Sequence, residues 1–230
     1  MAHWPALCAT PLDRLDDHTA AGLIGFAKLV VSFGGLLRSG LQPGETVIVN
    51  GASGYFGSAG VLLALAMGAG RVVAAGGDRD ALADVAALDP RVRAACLTGQ
   101  IDTDVTTLTD AAAGRADRAL DLLGRATSTA TTLSTLRSLR RGGRLVLMGS
   151  AEAPLEITFG EMLSNDWDVV GCFMYPREAP ARLASLVASG RLDLSPIRVQ
   201  VFPLAELPKA IEAAARMRGL DLVAVAQDAP

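Results

Sequence analysis

The sequence predicts an α/β fold in which a doubly wound, six-stranded parallel sheet is covered by helices on both faces. Short β-branched runs alternate with helical stretches along most of the 230 residues. Two of these runs, residues 47–49 and 145–148, are nearly all apolar instead of alternating with polar residues. Strands that are buried on both faces have this pattern, and they are typical of parallel sheets.

The elements follow one another in a regular order. A helix is predicted at residues 19–37, because its apolar residues recur at helical spacing. Six strands are predicted after it, at residues 46–50, 71–75, 93–97, 118–122, 144–149 and 167–174. Helices are predicted between them at residues 57–69, 80–88, 104–113, 126–139 and 159–164. Strands joined by crossover helices in this way form the Rossmann arrangement.

The chain divides into three predicted parts. Residues 1–38 hold the N-terminal segment and its helix, residues 39–175 the sheet, and residues 176–230 a smaller appendage. The appendage is expected to have a helix at 178–189 and a helix at 205–217 flanked by strands at 197–202 and 222–226. We expect this last unit to lie beside the sheet, outside its strand order.

Composition excludes several classes of protein. The net charge is −3 and no basic cluster occurs, which argues against nucleic-acid binding. The three cysteines are widely spaced, which indicates free thiols in a reducing compartment, and the N-terminus does not resemble a signal peptide. Residues 46–70 lack charge, but a glycine-rich turn interrupts them, so a membrane span is not expected. We therefore expect a cytoplasmic protein.

The strongest motif is the run Val-Ile-Val-Asn-Gly-Ala-Ser-Gly-Tyr-Phe-Gly at residues 47–57. It begins as a strand and ends in a helix, so its backbone N–H groups and the positive helix end face a common point. A diphosphate fits such a turn, and the predicted contacts are Ser53, Gly54, Tyr55, Phe56 and Gly57. The alternative is a glycine-rich turn that holds no ligand.

The end of the second strand bears on the kind of dinucleotide. Gly76, Gly77, Asp78 and Arg79 follow one another there. NAD-binding folds usually carry an acidic residue at this tip, where Gly76 stands, and Arg79 is placed to meet a ribose 2′-phosphate. These residues favour NADP(H) over NAD(H), although Asp78 argues the other way. The alternative is that Asp78 and Arg79 only begin the next helix.

Other chemistries lack their residues. A hydrolase triad needs a histidine after Ser53, but the two histidines, His3 and His18, both precede it. No P-loop occurs, and neither tyrosine has a lysine four residues later. His3, Cys8 and His18 do not have the spacing of a zinc site, so no metal is predicted. A methyltransferase shares the glycine-rich first turn but usually carries an acidic residue where Gly76 stands.

The order of motifs along the chain resembles that of the medium-chain dehydrogenase/reductase superfamily. The segments that carry the resemblance are residues 41–49, 51–57, 66–69, 121–124, 141–149, 187–192 and 202–210. That superfamily contains the zinc alcohol dehydrogenases and the zinc-free quinone oxidoreductases. The resemblance covers nearly the whole chain from about residue 10.

The resemblance implies further contacts with the dinucleotide along the carboxyl ends of the later strands. The implied residues are Leu122, Leu123, Gly124, Met148, Gly149, Ser150, Cys172 and Phe173. It also implies a homodimer that pairs through the edge strand from Trp167 to Met174, and an exposed edge strand favours such pairing on its own.

The chain departs from the superfamily pattern at its beginning. The large N-terminal catalytic domain and its zinc ligands are missing, so residues 176–230 are expected to be a remnant of a second domain. No basic residue is evident at residues 220–222, where some members place one near the diphosphate. We expect a zinc-free, NADP(H)-dependent oxidoreductase that acts on carbonyls, quinones or enones. The alternative is a dinucleotide-binding module without turnover, and no catalytic residue is assigned: Ser53, Tyr55, Cys172 and Tyr175 are the polar groups expected near the cofactor.

Overall fold

A computed structural model describes residues 24–227 and contains the predicted parallel sheet. Its strands are β1 (Thr46–Asn50), β2 (Arg71–Gly76), β3 (Val92–Cys96), β4 (Ala116–Asp121), β5 (Leu139–Leu147) and β6 (Asp168–Gly171). They lie in the order β3-β2-β1-β4-β5-β6, and all neighbours pair in parallel. This order reverses between β1 and β4, which is where a doubly wound sheet leaves a crevice for ligands.

Helices cover both faces of the sheet. They are α1 (Phe26–Ser39), α2 (Tyr55–Ala66), α3 (Arg79–Ala86), α4 (Ile101–Ala112), α5 (Ala130–Arg137), α6 (Phe159–Asn165) and α7 (Ala179–Ala188). Neighbouring residues of one strand enter different cores: Val47 and Val49 pack with α1 and α2, whereas Ile48 packs with α4 and α5. All three are fully buried, as expected of a strand covered on both sides.

The C-terminal unit forms a second, smaller sheet. Its elements are β7 (Arg198–Pro203), a 3₁₀ turn (Leu204–Glu206), α8 (Leu207–Ala215) and β8 (Asp221–Ala226). β7 and β8 pair in parallel and make no ladder with the six-stranded sheet. Leu220, directly before β8, and Leu222 within it join the core of the main sheet.

Several predicted boundaries differ from those of the structure, and two of these differences have identifiable reasons. The edge strand β6 ends at Gly171 rather than at Met174, because the chain turns there and Met174 has a positive φ of 63°. The helix predicted from residue 126 begins only at Ala130, because Ala126 is extended and pairs with Ala151 in an isolated bridge. The predicted start of the first helix, residues 19–23, lies outside the described residues.

Within residues 24–227, none of the helices combines the length and the apolar character needed to cross a membrane.

Candidate dinucleotide site

The turn between β1 and α2 presents free backbone donors at the centre of the sheet. Gly51 and Ala52 both donate to the Ala75 carbonyl, at 2.9 and 2.8 Å, which folds the turn back over β2. Gly54 is the N-cap of α2, so no side chain caps the helix, and its first turn carries no acidic residue. The first amides of a helix have no partner within it, so those of Tyr55, Phe56 and Gly57 face outward.

Glycines in this turn are required by close backbone approaches. A Cβ at Gly57 would lie 2.0 Å from the Gly51 carbonyl oxygen, so the helix start packs directly on the turn. A Cβ at Gly76 would lie 2.7 Å from the Ser53 hydroxyl, so β2 also approaches the turn closely. Gly51 itself has a φ of +89°, a conformation that side chains disfavour. The result is a concave backbone surface lined with amides, which is the form a diphosphate requires.

At the tip of β2, Asp78 contacts the next helix and the C-terminal tail. Asp78 is the N-cap of α3, and its Oδ1 accepts the Ala81 amide at 3.1 Å. Its other oxygen faces the Arg218 guanidinium at 3.4 Å. Arg79, the first residue of α3, is exposed and has no polar partner among residues 24–227. Asp78 therefore begins the next helix, which is one of the alternatives that the sequence leaves open.

The carboxyl ends of β4, β5 and β6 lie at the same edge of the sheet as the end of β1. Leu122 donates to the Asn50 carbonyl at 3.0 Å, which joins the end of β4 to that of β1. Gly149 packs closely against the loop that follows β4, because a Cβ at position 149 would lie 2.2 Å from the Leu123 carbonyl oxygen. Ser150 donates through its amide to that same Leu123 carbonyl, at 2.8 Å. These contacts bring Leu122, Leu123, Gly149 and Ser150 together, whereas the Met148 side chain packs into the core against Gly35 of α1.

The last predicted pair, Cys172 and Phe173, directly follows β6. The Cys172 amide donates to the Leu147 carbonyl at 2.9 Å. Burial raises the pKa of the Cys172 thiol above its usual range, so this thiol is protonated at neutral pH. Phe173 is 96% exposed, which is unusual for a large aromatic side chain.

A buried carboxyl that the sequence analysis missed lies beneath this edge. Asp121 ends β4 and is 3% exposed. Burial raises its pKa, and hydrogen bonds from Thr132, the Leu123 amide and Asn50 partly offset that rise. The signal available in the sequence was an acidic residue directly after an apolar strand. Asp121 lines a cavity of about 200 Å³, whose other lining residues include Leu123, Thr129, Thr132, Gly149 and Ser150.

A second missed residue, Lys28 of α1, lies below the diphosphate turn. Only 1% of its surface is exposed, and its Nζ donates to the Gly219 carbonyl at 2.7 Å. The same Nζ lies 4.2 Å from the centre of the Tyr55 ring. Burial lowers the pKa of Lys28 to about 8, and the negative charge of Asp221 opposes that shift. Nothing in the local pattern around Lys28 could have shown this, because its contacts lie far away along the chain.

The polar groups named as cofactor neighbours are only partly in position. Ser53 lies against Gly76, and its carbonyl accepts the Gly219 amide at 3.2 Å. Tyr55 opens α2, and burial raises its pKa. Tyr175 packs over Gly34 of α1. The geometry therefore assigns no general acid to any of them.

The part of the chain that the structure describes contains no group of side chains suited to binding a zinc ion. Among residues 24–227, no three His, Cys, Asp or Glu side chains lie close enough together to hold a metal. Both histidines and Cys8 fall outside that range, so their predicted lack of a zinc site stays a prediction.

The sheet order and the glycine turn together define the Rossmann class of nucleotide-binding folds. Comparison with known families makes this assignment specific: the zinc-binding dehydrogenase family matches residues 56–189. The chain belongs to that family, and so to the medium-chain dehydrogenase/reductase superfamily that its motifs indicate.

Individual relatives agree with this assignment. The chain is 27% identical to L-idonate 5-dehydrogenase of Vitis vinifera over 183 residues, which are 78% of this chain and 49% of the relative. It is 29% identical to sorbitol dehydrogenase of Bacillus subtilis over 196 residues, covering 79% and 50% of the two chains. It thus spans about half the length of these relatives.

Among solved structures, alcohol dehydrogenase TADH from Thermus sp. ATN1 shares the fold with a TM-score of 0.76 at 24% identity. The match covers 90% of this chain and 60% of that one. This comparison shows a shared fold.

Proposed function

We propose that this chain binds a nicotinamide dinucleotide across the carboxyl ends of β2, β1, β4, β5 and β6. The observation that carries the proposal is the β1–α2 turn, which is uncapped, free of acidic residues in its first helical turn and closed by Gly57. The diphosphate would accept hydrogen bonds from the outward-facing amides at the start of α2. The side chains that line the rest of the path would position the adenosine and nicotinamide halves.

The proposed contacts are those the sequence predicts. They are Ser53, Gly54, Tyr55, Phe56, Gly57, Gly76, Gly77, Asp78, Arg79, Leu122, Leu123, Gly124, Met148, Gly149, Ser150, Cys172 and Phe173. Support comes from the hydrogen bonds that join the turns of β1, β4, β5 and β6 to one another. A dinucleotide is long enough to use several neighbouring strand ends at once.

We further propose that NADP(H) is preferred to NAD(H). Gly76 supplies no carboxylate at the tip of β2, and the Asp78 carboxylate is already engaged by the Ala81 amide and Arg218. A ribose diol therefore lacks its usual acceptor. Arg79 is exposed at the same place and offers a positive charge to a 2′-phosphate.

The proposed reaction is hydride transfer to or from a carbonyl, quinone or enone. When bound, the nicotinamide ring supplies or accepts the hydride, and the protein orients it and excludes water. Because two curated relatives are sorbitol and L-idonate dehydrogenases, polyols and their ketones are the first substrates to test. No zinc is assigned to this reaction from residues 24–227, where no ligand cluster occurs.

A second candidate function is a dinucleotide-binding module that does not turn over substrate. It is favoured by the absence of an assigned general acid among the described polar groups along the site. Binding without any oxidation of polyols or reduction of aldehydes, ketones and quinones would select this candidate.

The test is a parallel calorimetric titration of the 230-residue chain with NADPH and with NADH. We expect NADPH to bind at least tenfold more tightly, a difference of about 1.4 kcal/mol. Tighter binding of NADH would overturn the cofactor preference and leave the turn as the site. If neither dinucleotide binds, the turn is only scaffold and the proposed function is wrong.

We also propose that two copies pair through the free edge of β6, in the cytoplasm. Three large apolar side chains in the segments that precede and follow β6 are exposed, namely Phe159, Leu163 and Phe173. The Cys172 amide donates to the Leu147 carbonyl of β5. Because backbone amides point in alternate directions along a strand, the Val169 amide, three residues earlier, faces the open edge. Val169→Pro removes that donor and should dissociate the dimer in sedimentation equilibrium, whereas Val169→Thr keeps the donor and should not. A wild-type chain that sediments as a monomer would refute this pairing.

A further inference from the structure

The C-terminal tail returns to the tip of β2 and is fixed there by one glycine. The Gly219 carbonyl accepts hydrogen bonds from Lys28 Nζ at 2.7 Å and from the Ser58 hydroxyl at 2.5 Å. Its amide donates to the Ser53 carbonyl of the glycine turn at 3.2 Å. Two segments far from the tail in sequence, Lys28 of α1 and residues 53–58, therefore hold the backbone of residue 219 and fix the position of Arg218 beside it.

Arg218 lies beside Asp78 without being committed to it. Its guanidinium is 3.4 Å from the carboxylate, and 63% of the Arg218 side chain and 39% of the Asp78 side chain are exposed. An ion pair as exposed as this contributes little to stability, so folding alone does not account for Arg218. The guanidinium remains free to turn toward a stronger anion at the same place.

The surface next to this pair is open and bordered by a second arginine. A Cβ built on Gly77 would meet no atom within 4 Å, so the backbone there faces free space. Arg79 is exposed beside it and has no polar partner among residues 24–227. The Asp78 and Asp80 carboxylates also lie here, so any anion must outweigh them.

We propose that Arg218 is a specificity-determining residue that reads the 2′-phosphate of the adenosine ribose together with Arg79. This inference rests on the proposed function. It assigns the role to a residue of the C-terminal tail that lies just before residues 220–222, which contain no basic side chain. Two guanidinium groups can each bind a phosphate through paired N–H donors. With NADH, which lacks the phosphate, Arg218 would stay with Asp78 and contribute nothing to binding.

The proposal predicts changes of opposite sign for the two cofactors. Removing Arg218 also leaves the negative charge of Asp78 unmatched, which repels a phosphate and frees an acceptor for ribose hydroxyls. Arg218→Gln should weaken NADPH binding at least tenfold and leave NADH binding unchanged or tighter. Arg218→Lys keeps the charge but loses the paired donors, so its loss should be intermediate.

Arg216→Gln is the matched control, because Arg216 is also well exposed on the same segment but lies near Glu212. Calorimetry with both cofactors on all four proteins gives the result. Equal effects of Arg218→Gln and Arg216→Gln, or an unchanged ratio of the two affinities in Arg218→Gln, would overturn the role of Arg218 and leave the proposed function standing. A wild-type chain that binds neither cofactor would overturn both.

Discussion

The two sheets of this molecule differ in how far their apolar residues are covered. In the six-stranded sheet, Ile48 and Leu120 are fully buried under helices. In the smaller sheet, Val201 of β7 and Val225 of β8 are 38% and 40% exposed, and Ile211 of α8 is 62% exposed. The main sheet therefore completes its own core, whereas the smaller sheet buries only its inner side.

This difference indicates which contacts hold the C-terminal tail in place. Leu220 and Leu222 join the main core, and the Lys28 and Ser58 hydrogen bonds fix Gly219 beside the glycine turn. The outer face of α8 is left without a partner among the described residues. We infer that these core leucines and the hydrogen bonds of Gly219 hold the tail beside the glycine turn.

The largest expected difference is in stability. Leu120→Ala opens a cavity in a fully buried position of β4 and should lower the free energy of unfolding by about 2–5 kcal/mol. Ile211→Ala removes a side chain that is mostly in water, so its effect should stay within about 0.5 kcal/mol. Urea denaturation of both variants measures the two values. Equal losses would contradict the contrast between the two sheets.

The next effect concerns the glycine turn. Gly57→Ala places a Cβ where the Gly51 carbonyl oxygen lies, so the start of α2 must move away from β1. We expect a loss of about 1–3 kcal/mol in stability and the disappearance of measurable dinucleotide binding. Gly160→Ala is the control, because a Cβ there meets nothing within 4 Å. Unchanged binding by folded Gly57→Ala would show that the diphosphate does not lie on this turn.

Lys28 should make stability depend on pH. Its pKa is lowered to about 8 in the folded chain, below the usual value of 10.5, so the unfolded chain binds this proton more tightly. Stability should therefore rise as the pH rises from about 8 to 10.5. Lys28→Met should remove that rise when its denaturation curves are compared with those of the wild type. Parallel curves for both proteins over this range would refute the assignment.

The smallest effect is expected at Asp121. Its raised pKa means that the native state favours the protonated form, so stability should increase as the pH falls through that raised pKa toward the usual value of 3.8. Asn50 Oδ1 is buried without a partner, and its amide lies 3.4 Å from Asp121 Oδ2. Asp121→Asn can donate to that oxygen after the Asn50 amide turns over, so we expect a change below about 1 kcal/mol. Asp121→Ala, which leaves the Leu123 amide unpaired, should cost more; equal costs would contradict this account.

Sequence reasoning succeeded where the backbone decides the structure. The apolar strands, the crossover helices and the glycines at 51, 54 and 57 follow from local spacing, and these placed the fold and the turn correctly. Contacts between distant side chains were not accessible in this way. Lys28 and Gly219 are 191 residues apart, and Arg218 meets Asp78 only because the tail folds back.

The proposed function depends most directly on the position at which the dinucleotide binds. Amide hydrogen exchange of the full chain, with and without saturating NADPH, tests this at single segments. We expect slower exchange at the amides of Tyr55, Phe56 and Gly57, which have no partner within the helix, and around Gly219, which is attached to the same turn. Protection confined to other parts of the sheet, with exchange at residues 55–57 unchanged, would contradict the account.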